Sequence, residues 1–107
     1  MDKLKWDKEF ALEQAADDTE LLEELLEIFK NSFKSDVQLI DQGIGEGSAA
    51  KVMSAAHSIK GAAASLGILG INEVATQIEE DSRAGGLEVA RDKMDDLRSL
   101  LTELQGS

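Results

Sequence analysis

From Leu21 to Ile40 the apolar side chains recur every three or four residues: Leu21, Leu22, Leu25, Leu26, Phe29, Phe33, Val37 and Ile40. Glu20, Glu23, Glu24, Glu27 and Lys30 fall on the other side. A period near 3.6 held over that length fits a helix with one apolar stripe and does not fit a strand. Nothing stops such a helix from being long, because the 107-residue chain contains no proline. Asp17 to Glu20 form an acidic cap with a glutamate three residues on. The helix is therefore expected over 18–42, ending at the glycine-rich stretch Gly43 to Ser48.

The same pattern recurs on both sides of that helix. A short leading helix is expected over 7–16, capped by Asp7, with Trp6, Phe10, Ala11 and Ala15 clipping onto the rest. Ala49, Val52, Met53, Ala56, Ile59, Ala63 and Leu66 make the stripe of a helix over 47–66, with Glu46 or Ser48 as its cap. Gly67 to Gly70 is a tight turn into a helix over 71–84, and Ala84-Gly85-Gly86 breaks that one. Ala90, Met94, Leu97, Leu101 and Leu104 form a heptad-like seam over 87–105. Four substantial helices joined by short loops predict an all-α, antiparallel four-helix bundle with a short additional N-terminal helix, one domain spanning 1–107.

Charge and composition narrow what such a bundle does. A net charge of −11 repels nucleic-acid phosphates. No apolar run reaches the roughly 20 residues of a membrane span, and Met1 to Phe10 do not read as a signal peptide. A cytoplasmic monomer with no membrane or nucleic-acid partner is expected. Cysteine is absent, which removes disulfides and thiolate metal sites. The sole histidine, His57, has Ser54 three residues before it, so no Glu-x-x-His pair exists for a di-iron bundle. No metal and no cofactor of its own are expected. Gly43-Ile44-Gly45-Glu46-Gly47-Ser48 lacks a preceding strand and a GK[ST], so it is not a nucleotide loop.

What remains is His57 itself. On a helical wheel it lies roughly 100° or more from the centre of its helix's apolar stripe. Its column holds Ala50, Met53, Lys60, Gly61 and Ala64, mostly small side chains and one cation. Ser54 and Ser58 flank it, yet no acid in its own helical register is placed to orient it, which argues against a hydrolytic triad. An exposed imidazole is largely neutral at pH 7, so its nitrogen is available as a nucleophile without a base. A phosphoryl group accepted there brings a charge of about −2, which Lys60 one turn away can pair with. Gly61 costs an alanine-rich helix roughly 1 kcal/mol relative to alanine, and close approach of a partner gives it a reason. Such a constellation can carry a phosphoryl group, but catalysis has to come from the partner.

His57-Ser58-Ile59-Lys60-Gly61, followed by Ala62 to Gly67, resembles the H-x-[LI]-K-G-x5-G signature of histidine phosphotransfer (HPt) domains of multistep two-component phosphorelays. Ile78-Glu79 resembles the family's Leu-Glu pair, and Ala84 to Leu87 its pre-terminal turn. The resemblance implies that His57 is the phosphoacceptor, that Lys60 stabilises the phosphoryl group and that Gly61 gives a receiver domain access. Gly67 then has a structural role. It further implies response-regulator receivers and a hybrid histidine kinase as partners, with Mg²⁺ on the receiver, and Met53 and Ala64 as docking contacts. Some members place a basic residue where Arg83 stands, but a plain helix C-terminal cation is the better account of it. Two other readings stay open: a helical adaptor that is never phosphorylated, and the phosphoacceptor domain of a chemotaxis-type kinase.

Overall fold

The computed structural model describes residues 3–106, so Met1, Asp2 and Ser107 at the ends of the expected single domain lie outside it. The described residues form five helices: α1 (Lys8–Gln14), α2 (Thr19–Glu46), α3 (Ala49–Ser65), α4 (Leu69–Arg83) and α5 (Glu88–Gln105). Helices α2 to α5 pack in a ring, α2 against α3 and α5, α4 against α3 and α5, and α1 touches α2. The four-helix bundle with a small leading helix is the expected architecture.

Packing decides where the elements end. The cap of α2 is Asp18, whose carboxylate accepts the amides of Glu20 and Leu21, whereas Asp17 stands just outside it with a φ of 60°. At the other end α2 runs four residues beyond the expected boundary at 42, straight through Gly43 and Gly45 to Glu46. Gly43 is not a breaker. A Cβ there would lie 2.8 Å from the Val52 side chain and 3.2 Å from the Ser48 carbonyl, so its missing side chain lets α3 turn back tightly. The break is made by Gly47 alone, at φ 71°, with the amides of Gly47 and Ser48 closing onto Ile44 and Gly43. Gly67 ends α3 in the same left-handed way, so α4 starts at Leu69, two residues before the expected 71.

The core is aliphatic around one stacked aromatic pair. Phe29 and Phe33 sit with ring centroids 5.5 Å apart, over Ile40, Val52, Ile59, Ile71, Ile78, Leu97 and Leu104. In α5 the inward residue is Leu100 and Leu101 is only half-buried, because a straight helix drifts off a strict heptad. In α3 Ala55 is in the core, while Ala49 and Met53 of the expected stripe lie at its edge.

The leading segment straps the turn between α3 and α4. Leu4 is buried in the core, the Trp6 indole donates to the Leu66 carbonyl at 2.9 Å, and the Gly70 amide donates to the Leu4 carbonyl at 2.8 Å. A Cβ on Gly70 would collide with the backbone carbonyls of Lys3 and Leu4. Gly70→Ala is therefore expected to destabilise the fold by about 1–3 kcal/mol, the usual cost of overpacking. Trp6 is the chain's only tryptophan, so a red-shifted emission in this variant reports the displaced strap directly.

Candidate functional site

Helix α3 builds the site by burying one face and leaving the other bare. Val52, Ala55, Ala56, Ile59 and Ala63 point into the core, which turns His57 outward with 69% of its side chain exposed. Of the residues on its column, Ala50, Gly61 and Ala64 are exposed and Met53 and Lys60 half-buried. The rim position read from the wheel is the observed one. Around Gly61 an added Cβ would meet nothing within 4 Å, so nothing inside the fold requires glycine there.

The acid that orients the imidazole comes from the neighbouring helix. Glu79 of α4 is 1% exposed, and its Oε2 lies 2.6 Å from His57 Nδ1. Its Oε1 accepts from Lys60 Nζ at 2.6 Å and from Arg83 at 3.2 Å. The hydrogen bond from Lys60 is the main force holding the Glu79 carboxyl below the ordinary carboxylate range; burial opposes it, and His57 adds to the lowering. An ionised carboxylate only accepts hydrogen bonds. Nδ1 must then carry the proton it shares with Glu79, which leaves the lone pair of neutral His57 on Nε2, at the outer end of the ring. The search for an orienting acid along α3 alone therefore missed it.

Two further placements differ from the sequence reading. The Lys60 ammonium is held on Glu79, the same carboxylate that meets the His57 ring, with 31% of the Lys60 side chain exposed. Arg83 is more than a helix-terminal cation, because it shares Glu79 with Lys60 and lines an open niche of about 240 Å³ together with Met53, Ser54, His57 and Glu79. The side-chain amide of Asn72 donates to the Lys60 carbonyl at 3.0 Å and fastens α4 to α3 one turn from His57. Among the described residues no cluster of His, Cys, Asp or Glu is arranged to hold a metal, and no helix is long and apolar enough to cross a membrane.

Sequence signal for Glu79 existed. Ile71, Ala75, Ile78 and Ser82 are the buried face of α4, and Glu79 falls on that face. A carboxylate on an apolar stripe needs cationic or hydrogen-bonding partners, and the nearest helix supplies Lys60 and His57.

Fold and site together define a helical-bundle module with one oriented histidine exposed on its outer face. The family model of the Hpt domain matches residues 24–107, and the chain belongs to that family, the phosphocarrier modules of two-component signalling. Among solved structures, the HPT domain of a hybrid histidine kinase from Shewanella is similar to it in fold, with a TM-score of 0.79 at 20% identity, covering 98% of this chain and 94% of that one. Among curated proteins nothing matches.

Proposed function

We propose that this domain is a phosphorelay intermediate that accepts a phosphoryl group on His57 Nε2 from a receiver-domain phospho-aspartate and passes it to another receiver. The observation that carries this reading is the outward Nε2 of an imidazole whose Nδ1–H is held 2.6 Å from the buried Glu79 carboxylate. In the transfer, the Nε2 lone pair attacks phosphorus and the bond to the aspartyl oxygen breaks, returning the carboxylate. Nδ1–H stays on Glu79 throughout, which stabilises positive charge on the ring as Nε2 bonds to phosphorus. Lys60 and Arg83 carry two positive charges against the single negative charge of Glu79, and that excess of one favours the incoming anion. In-line geometry and Mg²⁺ belong to the receiver; catalysis is supplied there or by a hybrid kinase. The 69% exposure of His57 favours this role over an inert adaptor, which has no use for a bared imidazole.

The test is incubation with a phosphorylated receiver and Mg²⁺. An acid-labile, base-stable label on the domain is the expected result. Absence of label from several receivers and from a kinase domain with ATP would leave the adaptor reading.

Met53 and Ala64 frame the docking rim on either side of His57 in this reading, with Gly61 at its centre. Gly61→Ala separates docking from folding. With open space around the new methyl group, the variant is expected to be more stable by about 0.5–1 kcal/mol, visible as a raised melting temperature, and yet slower in transfer. A stabilised variant that transfers at the wild-type rate would show that the glycine gives no access.

A further inference from the structure

The niche of about 240 Å³ beside His57 has two walls, Met53 and Ser54 from α3 and Glu79 and Arg83 from α4. The two helices run antiparallel, so Ser54, one turn before His57, comes level with Arg83, one turn after Glu79. Residues three apart are neighbours on one helix face, and a helical side chain leans back over the turn before its own Cα. The imidazole therefore lies on the Ser54 side of its backbone and lines one niche with it.

The Ser54 hydroxyl is not used by the fold. Ser32, Ser65, Thr76, Ser82 and Thr102 each donate to a carbonyl three or four residues back in their own helix. Ser54 does not, although the Ala50 carbonyl stands at the same spacing, and it has no hydrogen-bond partner among the described residues. The acceptors of the niche, by contrast, are taken. Glu79 Oε2 meets His57 Nδ1, and Oε1 accepts from Lys60 and Arg83. The guanidinium has further N–H groups beyond the one given to Glu79. What the niche offers a guest is therefore donors from both walls around a nucleophilic nitrogen, which suits a tetrahedral anion.

Resting on the phosphocarrier reading, we infer that Ser54 is a phosphoryl-binding residue: its hydroxyl donates to a non-bridging oxygen of the group on His57 Nε2, with Arg83 on the facing wall. Ser54 keeps its proton and forms no covalent bond. The bond made is Nε2 to phosphorus, and the bond broken is phosphorus to the donor's leaving atom. Because the free domain holds no anion there, the contact is gained as the phosphoryl group arrives, and it speeds acceptance.

Ser54→Ala tests this with two donors, a phosphorylated receiver domain and the small molecule phosphoramidate. Alanine favours the helix, so a melting temperature at or above that of wild type is expected. Labelling of His57 is expected to slow about three- to tenfold with both donors, as for loss of one hydrogen bond to a charged group at a solvent-open site. Ser54→Thr, which keeps the hydroxyl, is expected to recover most of the rate. Wild-type rates from both donors in Ser54→Ala would overturn the inference while leaving the phosphocarrier reading intact. Slowing with the receiver alone would also overturn it, by making Ser54 a docking contact. A wild-type domain that neither donor labels would remove the phosphocarrier reading, and this inference with it.

Discussion

His57→Gln is expected to abolish phosphoryl acceptance and leave the fold intact. The loss is complete because this is the chain's only histidine and no other group in the niche offers an unprotonated nitrogen: Lys60 and Arg83 are both held as cations on Glu79. The fold survives because 69% of the His57 side chain is already in water. The one interaction removed is the contact with Glu79, whose carboxylate keeps Lys60 and Arg83. Glutamine can also return a weaker hydrogen bond to it. Labelling from a phosphorylated receiver, read beside a thermal melt, checks both halves. A variant that is unlabelled because it has unfolded would contradict the rim placement.

Glu79→Gln is expected to have the second largest effect, through position and not contact. The amide keeps the carboxylate's shape but can turn either its oxygen or its NH₂ toward Nδ1, so the ring loses its enforced tautomer and the charge that stabilises it. Replacing a charge-assisted hydrogen bond of about 1.5–3 kcal/mol by a neutral one of about 1 kcal/mol removes about 0.5–2 kcal/mol, which predicts transfer slowed about two- to thirtyfold. A purely structural role would not change the histidine's tautomer, so imidazole nitrogen shifts in the unphosphorylated variant discriminate: a mixture of Nδ1–H and Nε2–H forms is expected. The same substitution changes the acid limb of stability. The folded-state pKa of Glu79 is depressed, so its contribution is present above the ordinary carboxylate range and is lost as pH falls through the folded value. Glu79→Gln is expected to be less stable at neutral pH and to lose less on acidification. Parallel acid-unfolding curves for the two proteins would argue against this.

How much of this was legible depends on the range of the interaction involved. Helix types and the bundle were written in local periodicity, since each stripe needs only its own side chains. Asp7 and Ser48 were readable as caps for the same reason, with Phe10 and Lys51 amides as their partners. Gly43 was misread because a glycine before a turn looks the same whether it ends a helix or admits Val52 against it; the difference lies in the neighbouring helix. Leu100 and Leu101 differ by one residue in a seam whose drift only packing fixes. In the site, the exposure of His57 followed from its angle on α3. Its partner did not, because Glu79 lies 22 residues away on another helix. The paired Ile78-Glu79 pointed to that position by resemblance, but the capture of Lys60 by the same carboxylate was invisible until α3 and α4 were brought together.

The most direct measurement is a nitrogen-15 NMR spectrum of the labelled domain after phosphorylation, which identifies the ring nitrogen bonded to phosphorus. With Nδ1–H committed to Glu79, the phosphoryl group must sit on Nε2 with Nδ1 still protonated. Phosphorylation at Nδ1, or a domain whose label resides anywhere other than His57, would contradict the account.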